Sequence, residues 1–236
     1  MMLNKVKTVE NDYNYRYERK FIAPEFTKQE VESIVKHHSA MFLEVYYERY
    51  VNNIYFDSFN MSNYCDNITG LRDRIKVRIR WYGELFGEIK NPTLELKIKN
   101  GFLGKKKLFP LKQFSITEDF NDDVTSNVFR ISDIPDIVKL RLQTLKPVLL
   151  NRYCRKYYQS ADKNFRITID YDMEFYKIAP IYNCFLNKSV DWRNTLIELK
   201  YDHDMEHYAE SISNYFPFRV SKISKYIYGI ERLGLS

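Results

Sequence analysis

The sequence predicts an α+β fold: a closed, eight-stranded antiparallel β-barrel with helices packed on its outside. Three observations lead there. Eight segments, at 15–23, 44–56, 75–82, 93–99, 105–109, 148–158, 165–171 and 195–201, show period-two alternation or enrichment in β-branched and aromatic residues. Most are joined by short connections, which favours antiparallel neighbours, and about eight strands suffice to close a barrel. Between them lie segments of helical periodicity, each with one apolar stripe that needs a surface to cover.

Taken in order, residues 1–12 read as a flexible lead and 13–236 as a single domain. The first strand carries Glu18-Arg19-Lys20, so Glu18 and Lys20 share one face. A capping box, Thr27-Lys28-Gln29-Glu30, then starts a helix with Val31, Ile34 and Val35 on its apolar side. Strand 75–82 alternates Lys76, Arg78 and Arg80 with Ile75, Val77, Ile79 and Trp81. Strand 93–99 repeats the first motif as Glu95-Leu96-Lys97. Gly101-Phe102-Leu103-Gly104-Lys105 lacks the spacing and the Ser/Thr of a phosphate-binding loop and reads as a hairpin turn. Residues 117–127 are polar and acidic, a surface excursion, and a helix is expected from Ser132 with Ile134, Ile137, Val138 and Leu142 on one side. Ser160-Ala161-Asp162-Lys163-Asn164 joins two strands as a hairpin, the second bearing Arg166, Thr168 and Asp170 on one face. Glu198-Leu199-Lys200 is the third copy of the charged motif. Helical spacing returns over 204–216 and again from Lys222 toward Leu233.

The 44% hydrophobic fraction, with 20 Tyr and 16 Phe, is ample for a core. The formal net charge of +6 suits an anionic partner. Cys65, Cys154 and Cys184 are odd in number and far apart, so no disulfide framework is implied and a reducing, cytoplasmic location is expected. The lysines near Met1 are not followed by an apolar stretch, and no run approaches the ~18 apolar residues of a membrane span.

The function turns on which faces look inward. Charged faces ordinarily meet water. Here the same Glu-x-Lys pair recurs on three strands, and Lys76, Arg78 and Arg80 stack about 7 Å apart, a self-repulsive row unless an anion neutralises it. The helical stripes need the apolar faces as their cover. The sequence thus predicts an inverted barrel, with charges lining a wet tunnel for a polyanion and a divalent metal. His203 and His207 have the spacing of a metal pair but no accompanying Glu, and read as a surface helix. His37-His38 ends a helix. No Ser-His-Asp or Cys-His arrangement can be assembled. The aromatic residues are spread over many elements, as core residues are, which argues against nucleic acid as the partner.

The chain resembles the triphosphate tunnel metalloenzymes, and most closely their VTC-type polyphosphate polymerase domain. The resemblance rests on Tyr17-Glu18-Arg19-Lys20-Phe21, Ile54-Tyr55-Phe56-Asp57-Ser58, the run from Gly70 to Tyr82, Leu94-Glu95-Leu96-Lys97, Tyr153-Cys154-Arg155, Phe165 to Asp170, Ile197-Glu198-Leu199-Lys200 and Ser221 to Tyr226, in the family's order. It implies an eight-stranded tunnel in which Lys20, Arg78, Arg80, Lys97, Arg155, Arg166 and Lys225 are catalytic cations. It implies phosphate or nucleotide contacts from Arg74, Lys76, one of Lys105–Lys107 (taken as Lys107), Tyr153, Lys200, Lys222 and Ser224. Glu198, with Glu18 and Glu95, would hold Mn²⁺ or Mg²⁺. The implied reaction moves the γ-phosphate of ATP onto inorganic polyphosphate or a pyrophosphate primer. Hydrolysis of tripolyphosphate or a nucleoside triphosphate in the same tunnel, and non-enzymatic binding of polyphosphate or an inositol phosphate, are its alternatives. Where eukaryotic members carry a further tunnel arginine this chain has Asn67, and Arg74 is the substitute. Those members also join the domain to an inositol-phosphate sensor and membrane helices. This sequence reads as the one domain, with any membrane element supplied by a separate partner.

Overall fold

A computed structural model describes residues 16–100 and 103–235. The expected lead at 1–12, and Gly101 and Phe102 of the expected turn, lie outside the described residues. The first half of the chain forms β1 (Arg16–Ala23), α1 (Lys28–Lys36), β2 (Leu43–Asp57), α2 (Ser62–Ile68), β3 (Arg74–Tyr82), β4 (Gly87–Ile89), β5 (Thr93–Asn100), β6 (Leu103–Pro110) and β7 (Phe114–Ile116). The second half forms α3 (Asp122–Ile131), α4 (Asp136–Leu142), β8 (Lys146–Gln159), β9 (Arg166–Lys177), β10 (Lys188–Asp191), β11 (Thr195–Asp202), α5 (Glu206–Asn214), β12 (Arg219–Val220) and α6 (Lys225–Arg232).

The α+β class is as expected, and all eight expected strands form. They lie side by side in the order β1-β11-β9-β8-β2-β3-β5-β6, every pairing antiparallel. The closed eight-stranded barrel is corrected in two respects. Ten strands belong to the sheet, because β12 adds to β1 and β10 to β9. The sheet is also not closed: among the described residues no ladder joins β1 to β6. The free side of β1 is taken by the chain leading into α6, with Phe21 and Ile22 paired to Val220 and Arg219, and the Ser221 amide donating to the Lys20 carbonyl at 2.8 Å. Backbone groups already bonded there cannot also accept a neighbouring strand. The sheet nevertheless curls until its margins meet through side chains, since Lys97 on β5 lies 2.9 Å from Glu18 on β1.

The apolar face is the outer one, as the inverted reading requires. Phe21, Ile167, Ile169, Ile197 and Leu199 pack under Val31 and Val35 of α1 and Ala209 and Ile212 of α5. On the other side, Ile54, Phe56, Val77, Ile79, Leu94 and Leu96 are covered by Val128 and Phe129 of α3, Val138 and Leu142 of α4, and the small β4–β7 sheet. Each fully buried Leu, Ile or Phe contributes about 1.5–3 kcal/mol to this arrangement. Helix α1 begins with the expected capping box, Thr27 and Glu30 bonding each other's backbone amides, and His37 is its C-cap.

Three expectations about the helices are revised. Residues 117–127 are not simply a polar excursion: the Asn121 side chain caps α3, whose Thr125 and Val128 are buried. Ser132 ends that helix rather than starting one, and α4 begins at Asp136 after Pro135. Nor do all helices pack outside. Tyr226 and Ile230 of α6, with Tyr64 of α2, pack on Val51, Tyr55, Leu149, Tyr153, Phe175 and Leu196, which belong to the inner face. Helix α6 thus fills one end of the concavity. Gly229 permits the close approach, because a Cβ there would lie 2.5 Å from Phe175 Cδ1 and 2.7 Å from Leu149 Cδ2.

Candidate functional site

Directly paired residues of antiparallel strands share a face, so the ladders alone assign the concave surface. Lys20 opposes Glu198, Glu18 opposes Lys200, and Glu198 and Lys200 oppose Thr168 and Arg166. Asp170 opposes Arg155, Arg78 opposes both Glu95 and Tyr55, and Lys76 opposes Lys97. One face therefore gathers the charged alternations of β1, β3, β5, β8, β9 and β11.

Its deepest part is an ion cluster. Arg155 is 7% exposed and grips the fully buried Asp170 with two nitrogens, Nε to Oδ1 at 2.5 Å and Nη2 to Oδ2 at 2.7 Å. Lys225, the first residue of α6, adds a bond of 2.5 Å to Asp170 Oδ2 and lies 3.7 Å from Glu198. Glu198 in turn is 2.8 Å from Lys200 and 4.0 Å from Arg155. Burial alone would raise the Glu198 pKa, but Lys200, Lys225, Lys20 and Arg155 hold it well below the ordinary carboxylate value. The Lys225 ammonium lies 4.8 Å from the Tyr153 ring centre, and the Tyr153 hydroxyl accepts from Arg80 at 3.1 Å.

A second cluster surrounds Glu95. Arg78 reaches it at 2.5 Å, Lys106 at 2.8 Å and Arg80 at 3.7 Å. Burial opposes ionisation of Glu95, and these three cations outweigh it, setting its pKa at about 2. Arg80 is fixed further by the Asn53 carbonyl oxygen at 2.9 Å, and Asn53 donates to Asn151 at 2.8 Å.

The third group spans the sheet margins. Glu18 lies 2.9 Å from Lys97 and 3.3 Å from Lys20. Burial raises its pKa and the two lysines lower it more, to about 2. Lys76 donates to Ser224 at 2.9 Å, which ties β3 to the start of α6. Burial, reinforced by the charges of Lys20, Lys97 and Arg74, pushes Lys76 down to about 7. At the end away from α6 the face finishes in Arg49, whose guanidinium lies 4.3 Å from the Tyr82 ring and 4.7 Å from the Tyr157 ring.

The structure thus brings together Glu18, Lys20, Lys76, Arg78, Arg80, Glu95, Lys97, Tyr153, Arg155, Glu198, Lys200, Ser224 and Lys225. Four expected residues stand differently. Lys107 opposes Leu96 and faces outward, whereas its neighbour Lys106 opposes Lys97 and faces in. Arg166 is on the concave face but exposed at the strand end, and makes no ion pair with a described residue. Lys222 is exposed ahead of α6. Arg74 sits at the rim, donating to the Leu71 carbonyl at 2.7 Å. Glu18, Glu95 and Glu198 share the face without forming one acidic triad: among the described residues no three His, Cys, Asp or Glu side chains form a metal cage. Helix α2 carries no cation, and Asn67 bonds the Asn63 carbonyl of its own helix. His203 and His207 are exposed, as expected of a surface helix. Sequence reasoning assigned no role to Asp170, Tyr55 or Asn53, and of Lys105–Lys107 it settled on Lys107 rather than Lys106. Their alternation with apolar residues was the available signal.

An open antiparallel sheet curled around a concave, cation-rich face, with acids set among the cations, is the class of protein that the fold and the site define. The sequence profile of the VTC domain family matches residues 15–234, and the chain belongs to that family. Among solved structures it is similar to a candidate adenylate cyclase from Vibrio parahaemolyticus, at TM-score 0.52 and 10% identity, covering 92% of this chain and 99% of that one. It is also similar to a candidate adenylyl cyclase from Hippeastrum described as having a dominant triphosphatase activity, at TM-score 0.51 and 13% identity, covering 93% and 95%. At those identities the likeness is one of fold. No curated protein matches the chain. No helix among the described residues is long and apolar enough to cross a membrane.

Proposed function

We propose that this protein is a polyphosphate polymerase, transferring the γ-phosphate of ATP to a growing inorganic polyphosphate chain held against the concave face. The observation that carries the reading is the convergence of Lys20, Lys76, Arg78, Arg80, Lys97, Arg155, Lys200 and Lys225, from five strands and one helix, on a surface whose acids are Glu18, Glu95, Asp170 and Glu198. Membership of the VTC family supports it.

Phosphoryl transfer asks a protein mainly for positioning and charge stabilisation. Glu95 and Asp170 hold Arg78 and Arg155 at fixed angles, so their remaining N–H groups are aimed before substrate arrives. Arginine forks bind phosphate oxygens bidentately, and the lysines add point charges that follow the moving chain. Glu198 and Glu18 are hard oxygen donors close enough to feel each other's charge. They fit a Mn²⁺ or Mg²⁺ that takes one or two carboxylates and completes its shell with water and substrate phosphate. That ion would neutralise charge developing on the transferred group. Phosphate oxygens would then take over Lys200 and Lys225, which pair with Glu198 in the free protein. ATP as donor, and three cysteines without disulfides, fit a cytoplasmic location, with inorganic polyphosphate or pyrophosphate as acceptor and no nucleic acid as partner.

Hydrolysis of tripolyphosphate or a nucleoside triphosphate is the second reading, favoured by the triphosphatase activity ascribed to the Hippeastrum protein. One experiment separates the two. With ATP, Mn²⁺ and a pyrophosphate primer, a polymerase yields ADP and lengthening polyphosphate, whereas a hydrolase yields orthophosphate without chain growth. Lys225→Ala is expected to slow either reaction by about 100-fold or more, the effect of removing one preorganised charge stabiliser. If neither product forms and the variant matches wild type, both enzymatic readings fail.

A further inference from the structure

Four buried polar side-chain atoms among the described residues lack a hydrogen-bond partner: Asn52 Oδ1, Arg152 Nε, Asn151 Nδ2 and Thr168 Oγ1. Buried polar groups are rarely left so, and each asks for an explanation. Asn52 and Arg152 lie on the outer face, where both side chains already reach the Gly83 carbonyl. Asn151 is on the concave face but spends its oxygen on Asn53. Thr168 is different. It is 6% exposed, on the concave face, with Glu198 opposite it on β11 and Tyr157 opposite it on β8. Two residues along its own strand, Asp170 holds Arg155 and Lys225. Its hydroxyl thus stands among charged groups that all have partners, and is itself free.

We propose that Thr168 is a substrate-contacting residue whose hydroxyl donates a hydrogen bond to a phosphoryl oxygen seated beside Glu198. The inference rests on the phosphate-binding reading of this face. A hydroxyl hemmed in by carboxylates and cations is suited to an oxygen anion brought close to Lys200, Lys225 and Arg155, because the bond is charge-assisted and made only with ligand bound. A valine in its place would have nearly the same β-branched shape between Glu198 and Tyr157, so shape gives no reason for threonine here. The hydroxyl is buried at a cost with nothing to offset it in the free protein.

The test uses the full chain, inorganic tripolyphosphate with Mn²⁺, and calorimetric titration beside thermal unfolding. Thr168→Val removes the hydroxyl and keeps the shape. It is expected to weaken tripolyphosphate binding about tenfold or more, the effect of losing a hydrogen bond to a charged group. Its Tm in the absence of ligand should be unchanged or higher. Thr168→Ser restores the hydroxyl and should bind within about threefold of wild type. Equal binding by wild type and Thr168→Val overturns the assignment. So does a fall in Tm without a change in affinity, which marks a structural hydroxyl satisfied by a buried water. Equal loss of binding in the Val and Ser variants overturns it too. Failure of the wild type itself to bind tripolyphosphate sinks the phosphate-binding reading, an outcome visible before any variant is made.

Discussion

Lys76 carries the clearest consequence at the scale of single residues. Burial and the neighbouring Lys20, Lys97 and Arg74 depress its pKa to about 7, against 10.5 for an ordinary lysine. Between those values the unfolded chain binds the proton and the folded one does not, so this residue lowers stability progressively as pH falls from about 10 toward 7, and no further below. A bound polyanion reverses the repulsion and draws the proton back. Tripolyphosphate binding at pH 8 is therefore expected to take up a proton, and affinity to fall as pH rises from 7 to 9. Titration in buffers of different ionisation enthalpy measures the uptake, and Lys76→Met should abolish it. A binding enthalpy independent of buffer at pH 8 would place Lys76 away from the ligand. Asp170 illustrates the opposite case. Its two oxygens are fully engaged by Arg155 and Lys225, so it serves to aim cations rather than to hold metal, and stripping one partner from such a buried pair typically costs about 3–5 kcal/mol. Alternation alone placed most of the charged residues on one face. It could not choose between Lys106 and Lys107, because a shift of one residue in the β5–β6 ladder turns every side chain over. The pairing of Asn100 with Leu103 settles that parity.

Among the elements, long strands with regular alternation were legible and short or irregular ones were not. The strands β4, β7, β10 and β12 have two to four residues, too few for a period to show. Strand β9 runs to Lys177, past the expected end at 171, because Asp172 adopts a φ of 49° and breaks the alternation where the register with β8 shifts. Residues 166, 168 and 170 face inward before the bulge, and Phe175 faces inward after it. An extra residue of this kind re-aims a strand, and sequence periodicity reads it as termination. Helix α6 was foreseen as a helix but not as a plug, since amphipathic spacing does not say which side of a sheet a stripe will cover. Gly229 is the residue that decides it. Within a helix, Gly→Ala ordinarily stabilises by about 0.5–1 kcal/mol. Here the added methyl meets Phe175 and Leu149 inside van der Waals contact, and overpacking of this sort costs about 1–3 kcal/mol. Gly229→Ala is expected to lower Tm, and to lower turnover as well, because α6 carries Lys225 and follows Ser224. Chemical denaturation and steady-state rates check it together. A rise in Tm with activity intact would show that α6 is not seated as described.

At the scale of the whole molecule, the expected closed barrel and the observed open sheet differ most in the missing ladder between β1 and β6, and that difference has a function to test. The eight long strands and their antiparallel pairing were legible from counting segments and from their short connections, whereas the added β10 and β12 were not. Closure was not, because it depends on whether β1 offers its outer edge to β6 or to the chain entering α6, and the 219–221 segment takes it. What spans the gap between the margins is side-chain contact, Glu18 with Lys97 directly and Lys76 with the Ser224 hydroxyl at the start of α6. Such contacts are partly exposed and individually weak, so the margins should open more readily than the centre of the sheet, where β8 is paired on both sides. A polyphosphate bound on the concave face would contact Lys20 from one margin and Lys97 and Lys106 from the other, pulling them toward a common anion. Hydrogen exchange should then slow on addition of tripolyphosphate in β1 and β6, the strands on either side of the missing ladder, while amides of β8 stay as protected as before. Mass spectrometry of peptic peptides resolves these regions. Uniform slowing across the sheet would indicate global stabilisation without clamping, and no change at either margin would mean that the two edges do not share a ligand.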